Sequence, residues 1–169
     1  MGVNSRSADE FRRFAQIHWG DLARSAVLLS GNPSDVDDLI QETFERLWRS
    51  WDRIRPETAL GYARTVMVNA RNDQWRKAGR TPVPTDSVYL DVKTSSGDPT
   101  GQVDDRNEIL QHLSMLSERE RQVIVARYYW GLTNDEVAAS LSLPAGTIKS
   151  TASRAVARLR KAHEGAGHG

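Results

Sequence analysis

No cysteine occurs in the 169 residues, so disulfides, thiol nucleophiles and cysteine-ligated zinc are all excluded and packing alone must hold the fold. No apolar run approaches about 18 residues, and no charged stretch leads into a short apolar one. A membrane span and an export signal are therefore not expected, and the reading is cytoplasmic, without membrane insertion. Strand-like alternation is missing as well. The four histidines, His18, His112, His163 and His168, lack metal-ligand spacing, and no nucleotide-binding motif is found. Neither a metal nor a cofactor is expected.

Net charge is nearly absent too, at +1, which argues against a protein that coats nucleic acid indiscriminately. The small sum hides strong segregation. Residues 35–45 contain Asp35, Asp37, Asp38, Glu42 and Glu45 and no base, whereas residues 144–161 contain Lys149, Arg154, Arg158, Arg160 and Lys161 and no acid. A third stretch, 71–80, sets Arg71, Arg76, Lys77 and Arg80 against Asp73 alone. Partners of opposite charge are implied for different parts of one chain.

Apolar residues recur with helical period over about 8–29, 34–52 and 58–78, then over 104–115, 118–130, 134–142 and 145–162. The fold class expected is all-α, with two small helical domains at 1–80 and 108–163. Between them, residues 81–107 hold three prolines, two glycines, five acids and two bases, the composition of a flexible linker. Its 27 residues could extend to about 90 Å. The glycine- and histidine-rich end, 164–169, reads as a disordered tail.

In 35-DVDDLIQETFERLWRSW-51, Val36, Leu39, Ile40, Phe44, Leu47, Trp48 and Trp51 share an apolar half of the helix, and Asp38, Gln41, Glu42 and Glu45 lie opposite. The acidic stripe can be a solvated face, with Glu42 pairing to Arg46 and Glu45 to Arg49. It can also be a contact for a basic partner, because Asp38 and Glu42 are like charges one turn apart. In 53-RIRPETALGYARTVMVNARNDQWRK-77, Leu60, Ala63, Val66, Met67 and Ala70 form the apolar stripe. Asn69, Asn72, Trp75, Arg76 and Lys77 remain outside it: amides for a base edge, a ring for stacking and cations for a backbone, a set suited to single-stranded nucleic acid. Trp75 reads equally well as core.

Two capping boxes, Ser117 with Glu120 and Thr133 with Glu136, start two helices, Gly131 separates them, and 142-SLPAG-146 precedes a third. This is the helix-turn-helix plan. On the last helix Ile148, Ala152, Ala155 and Leu159 face inward, leaving Lys149, Ser150, Ser153, Arg154, Ala157, Arg160 and Lys161 on an acid-free side. Thr147, Lys149, Ser150, Ser153 and Arg154 fall where base edges or flanking phosphates are reached, and Arg158, Arg160 and Lys161 where the backbone is.

The strings 38-DLIQE-42 and 44-FERLW-48 resemble the core-polymerase-binding segment of bacterial sigma factors of the sigma-70 family, in particular the two-domain extracytoplasmic-function group (group 4). The resemblance implies core RNA polymerase as a partner for Asp38, Leu39, Gln41, Glu42 and Phe44. It implies a minus-ten role for Asn69 and its neighbours, with the loop of Ile54 to Thr58 shaping specificity. The stretch 146-GTIKSTASRAVARLRK-161 is similar to the family's minus-thirty-five helix, departing from it at Thr151 and Ala152, where larger residues are common. Promoter DNA, duplex and melted, is thus the second implied partner, and an anti-sigma factor a third. Two other readings are weaker. The runner-up is a two-domain, sequence-specific helix-turn-helix regulator that does not bind core polymerase; its response-regulator form would need a receiver-like βα pattern that is missing. A metal-dependent nuclease using Asp35, Asp37, Asp38 and Glu42 is weaker still, since Asp37 points away from the face that Asp38 and Glu42 share.

Overall fold

The computed structural model describes residues 5–79 and 102–167, and these form two compact units divided near residue 81. Among the described residues every regular element is helical, as the periodicity implies.

The first unit consists of α1 (Ser5–Ser30), α2 (Val36–Ser50) and α3 (Ala59–Lys77), joined by single helical turns at Pro33–Asp35, Trp51–Arg53 and Pro56–Thr58. Gly31 ends α1 in the left-handed region at φ 61°, where a side chain would be strained. Asn32 then accepts the Ser34 amide at 3.2 Å, and Pro33 supplies a fixed φ at the start of the next turn. The core is Leu22, Ala26 and Leu29 of α1, Leu39 and Leu47 of α2, and Ala63, Met67 and Ala70 of α3, all fully buried. Each large apolar side chain so placed contributes about 1.5–3 kcal/mol. Alanines at 26, 63 and 70 keep the helices close. Thr43, buried among them, donates its hydroxyl to the Leu39 carbonyl at 2.7 Å, which satisfies that hydroxyl.

Arg71 departs from its place in the cationic stretch. It is 5% exposed, donating to the Ser30 carbonyl at 2.7 Å, Asp35 Oδ2 at 3.0 Å and Gln74 Oε1 at 3.3 Å. It therefore ties α3 to the connection between α1 and α2.

The second unit runs α4 (Gln102–Ser114), α5 (Glu118–Ile124), a π-turn at Val125–Tyr129, α6 (Asn134–Leu141) and α7 (Ala145–Ala166). Both capping boxes form: Ser117 and Thr133 each accept the amide three residues on at 3.2 Å, and Glu120 and Glu136 reach back to the cap amides at 3.0 and 2.8 Å. Gly131, at φ 68°, makes the turn before α6, and Ser142, at φ 54°, the turn before α7. Val123, Val125, Ala126, Val137, Leu141, Ile148 and Ala155 meet in the core.

Three boundaries differ from the sequence reading. Residues 102–107, assigned to the linker, belong to α4, and the remainder of that segment lies outside the described residues. The single helix expected over 118–130 changes to π geometry after Ile124; Trp130 donates to Val125 and Leu132 to Ala126, at 3.0 and 3.1 Å. That extra residue in the turn buries Trp130 and leaves Tyr128 and Tyr129 outside. Finally, α7 continues through Glu164, Gly165 and Ala166, which the tail reading excludes.

Candidate polymerase and promoter interfaces

On α2 the acidic stripe lies at the surface. Asp38, Gln41 and Glu45 are exposed and Glu42 is half-buried, while Gln41 donates to Glu45 at 3.1 Å. The anticipated pairs both occur, tightly for Arg46 with Glu42 at 2.7 Å and loosely for Arg49 with Glu45 at 3.9 Å. The Arg46–Glu42 pair offsets part of the like-charge penalty between Asp38 and Glu42 from inside the domain, and Arg46 also reaches across to Asp73 of α3 at 2.7 Å. Hydrogen bonding to Asp73 is the largest influence on Arg46 and raises its pKa above the ordinary guanidinium value, against the lowering effect of burial. The side chain stays charged under all working conditions.

Leu39 is corrected by the structure. It is fully buried between helices and offers nothing to an external partner. Phe44 is half-buried, with its ring stacked on Trp19 at 5.5 Å and edge-on to Phe11 at 6.3 Å. Trp48, also exposed, touches Phe11 at 5.0 Å. An aromatic seam between α1 and α2 thus borders the acids. Phe11 and Trp19 escape a reading of the sequence because their helix lies elsewhere in the chain, and only tertiary packing brings them to Phe44.

The end of α3 presents Asn69, Arg76 and Lys77 to solvent, with Asn72 and Trp75 half-buried. Asn69, Asn72 and Arg76 share a face, and Trp75 lies about 120° round the helix from Asn69. Trp75 is neither enclosed as a core ring nor fully open as a stacking platform. Arg76 contacts Asp73 at 3.3 Å. Ile54 is half-buried in the extended residue between two helical turns, apart from α3 in sequence.

On α7 the acid-free side is open throughout. Thr147, Lys149, Ser150, Ser153, Arg154, Arg160 and Lys161 are exposed, and Arg154 makes a 3.4 Å contact with Thr151 Oγ1. Lys149, Ser153 and Arg160 line a cleft of about 430 Å³ together with Arg127, Tyr128 and Asn134. Sequence reasoning misses those last three; the adjacent arginine and tyrosine before Gly131 are the available signal. Arg158 is exposed one turn beyond Arg154, with its guanidinium 3.2 Å from Glu120, the buried acid that closes the α5 capping box. Thr151 and Ala152, the two positions that depart from the family pattern, are buried, so the departure concerns packing.

Residues 15–81 match the family model Sigma-70 region 2, and residues 112–161 match Sigma-70, region 4. The RNA polymerase sigma-E factor of Streptomyces avermitilis is 37% identical over 153 residues, covering 90% of this chain and 84% of that protein.

The chain belongs to the sigma-70 family.

Within the family its likeness is to the extracytoplasmic-function group: the ECF RNA polymerase sigma factor SigL of Mycobacterium tuberculosis is 31% identical, with 94% of this chain and 92% of that one covered. Among solved structures, the sigma factor RpoE from Bartonella quintana, crystallised with the anti-sigma factor NepR, superposes with a TM-score of 0.70 at 27% identity, covering 89% of this chain and 94% of that one. CnrH, solved with the cytosolic domain of CnrY, has a TM-score of 0.62 at 22% identity, over 94% and 95% of the two chains, and supports the fold. This sigma factor binds core RNA polymerase and directs promoter-specific initiation. Among the described residues, no helix is long and apolar enough to cross a membrane, and no three metal-ligating side chains cluster.

Proposed function

We propose that the sigma factor divides its work among three surfaces. Asp38, Gln41, Glu42 and Phe44 dock on core polymerase, with Leu39 supporting them from beneath. Asn69, Asn72, Trp75, Arg76, Lys77 and the loop at Ile54 take the opened minus-ten strand. Thr147, Lys149, Ser150, Ser153, Arg154, Arg160 and Lys161 hold the minus-thirty-five duplex. The observation that carries this reading is the sorting of exposed charge: acids and an amide on α2, bases without a neighbouring acid on the outer face of α7.

The physical requirements differ at each surface. Strand capture must offset a few kcal/mol of unstacking per base, and aromatic stacking returns about 1–3 kcal/mol per base. Melting is thus driven by binding, with no catalytic group and no cofactor, and the protein acts as a factor and not as an enzyme. The duplex contact needs close backbone approach, which the small residues Ser150, Ser153 and Ala157 between the bases permit.

The site of action is the cytoplasm, where polymerase and chromosome are. A protein inhibitor that covers these surfaces, as the likeness to the NepR-bound Bartonella sigma factor supports, would compete with core polymerase for the labelled chain. Run-off transcription with added core polymerase on a promoter library tests the whole reading. Discrete transcripts that depend on the chain are expected; none from any template would refute it.

A further inference from the structure

The second unit holds two capping boxes of one design in different surroundings. In each, a hydroxyl accepts the amide three residues on and a glutamate returns to the cap amide. Glu136 does this exposed to solvent. Glu120 does it at 7% side-chain exposure, where α5 packs on α7. An ionised carboxylate so placed needs a charged partner as well as an amide. Its Oε2 takes both, the Ser117 amide at 3.0 Å and Arg158 Nη1 at 3.2 Å. Arg121, next in sequence, gives donors to Glu118 Oε2 and to the Leu113 and Leu116 carbonyls. Arg158 is the cation that Glu120 holds.

The three arginines of α7 therefore stand in three settings. Arg160 is exposed on the flank that lines the cleft with Lys149 and Ser153. Arg154 is exposed toward the duplex face. Arg158 lies one turn beyond Arg154 and about 40° round the helix from it, toward the buried Thr151, with its guanidinium turned to an acid of α5. Two cations four residues apart repel, so drawing Arg158 aside leaves the outward position to Arg154. A phosphate could take Arg158 only by stripping a buried carboxylate of its counter-charge. No such cost attaches to Arg160.

We propose that Glu120 is a positioning residue for the minus-thirty-five contact: it withholds Arg158 from the phosphate backbone and uses that guanidinium to fix α7 on α5. One glutamate thus closes a cap, anchors the reading helix and sets how many phosphates the helix can hold. The proposal rests on the assignment of α7 to duplex DNA and adds to it which base is kept out.

The test follows binding of the full chain to a labelled duplex of randomised sequence, by fluorescence anisotropy over a series of salt concentrations. Each phosphate contact contributes about 0.9 to the slope of log affinity against log salt. Arg160→Gln is expected to lower the slope by about 0.9, and Arg158→Gln to leave it unchanged. Glu120→Gln keeps the box, since glutamine serves at that position, and releases Arg158. The slope should then rise by about 0.9, which is about threefold more tightening between 200 and 50 mM salt. That rise should be absent in the Arg158→Gln background. Glu136→Gln removes the same charge from the exposed box and should change the slope less.

A slope lowered as much by Arg158→Gln as by Arg160→Gln would overturn the proposal, and so would equal rises from the two glutamates; in both cases the DNA surface stands. If Arg160→Gln and Lys149→Gln each leave the slope unchanged, the assignment of α7 to duplex DNA fails and the proposal with it. Should Glu120→Gln fail to fold, Arg158→Gln against Arg160→Gln decides by itself.

Discussion

Leu39 and Asp38 are neighbours in sequence and opposites in role. Asp38 is exposed at the surface and Leu39 fully enclosed, so truncating the two should have separable effects. Leu39→Ala is expected to cost about 2–5 kcal/mol of stability in thermal or urea unfolding. Asp38→Ala should leave unfolding within about 0.5 kcal/mol of wild type and weaken binding to core polymerase. On α7 the same separation holds between Arg154 and the two bases nearer the end of the helix. Arg154→Ala should weaken binding to a preferred promoter by about 1–3 kcal/mol more than to unrelated duplex if it reads a base. Arg160→Ala should weaken binding to every sequence and reduce the salt slope by about 0.9, as titrations at several salt concentrations will show. The exposed bases of α7 were legible from periodicity because the helix has one apolar stripe and its position fixes everything opposite. Arg71 was not, because its commitments to the Ser30 carbonyl and Asp35 lie 41 and 36 residues away and nothing local marks a cation as internal. Arg158 stays exposed, but its bond to Glu120, 38 residues away, has no local signal either.

The helices themselves follow from local rules where those rules are complete. α6 has a cap, a reciprocal glutamate and a left-handed exit, and its bounds, Asn134–Leu141, fall within a residue of the 134–142 expected. Thr133→Ala removes the hydroxyl that accepts the Glu136 amide and should destabilise the second unit by about 1 kcal/mol. Differential unfolding of that unit, followed through the nearby Trp130, measures it. The π-turn at Val125–Tyr129 was out of reach, because the choice between α and π geometry there is decided by burying Trp130 against the unit's core. The start of α4 was read from periodicity at 104, within two residues of Gln102, whereas composition carried the linker on to 107, across the first turns of the helix. The seam of Phe11, Trp19, Phe44 and Trp48 is likewise an encounter between two helices, so a reading of α2 alone finds half of it.

The whole molecule is an arrangement of charge on two separately packed helical units. A net charge of +1 conceals an acidic ridge and two basic surfaces, and the assignment of each to a different macromolecule is the claim on which the account turns. Composition and residue order suffice to reveal that arrangement, because segregation of sign is a property of the chain itself. The contact that ties α2 to α3 at its edge, Arg46 with Asp73, required the fold. The most direct measurement titrates core RNA polymerase against the labelled chain carrying Asp38→Arg with Glu42→Arg, alongside duplex promoter binding by the same protein. The account predicts that affinity for core falls by about thirtyfold or more, as reversal of interfacial charges does, while binding to duplex DNA is retained. Unchanged affinity for core would contradict it.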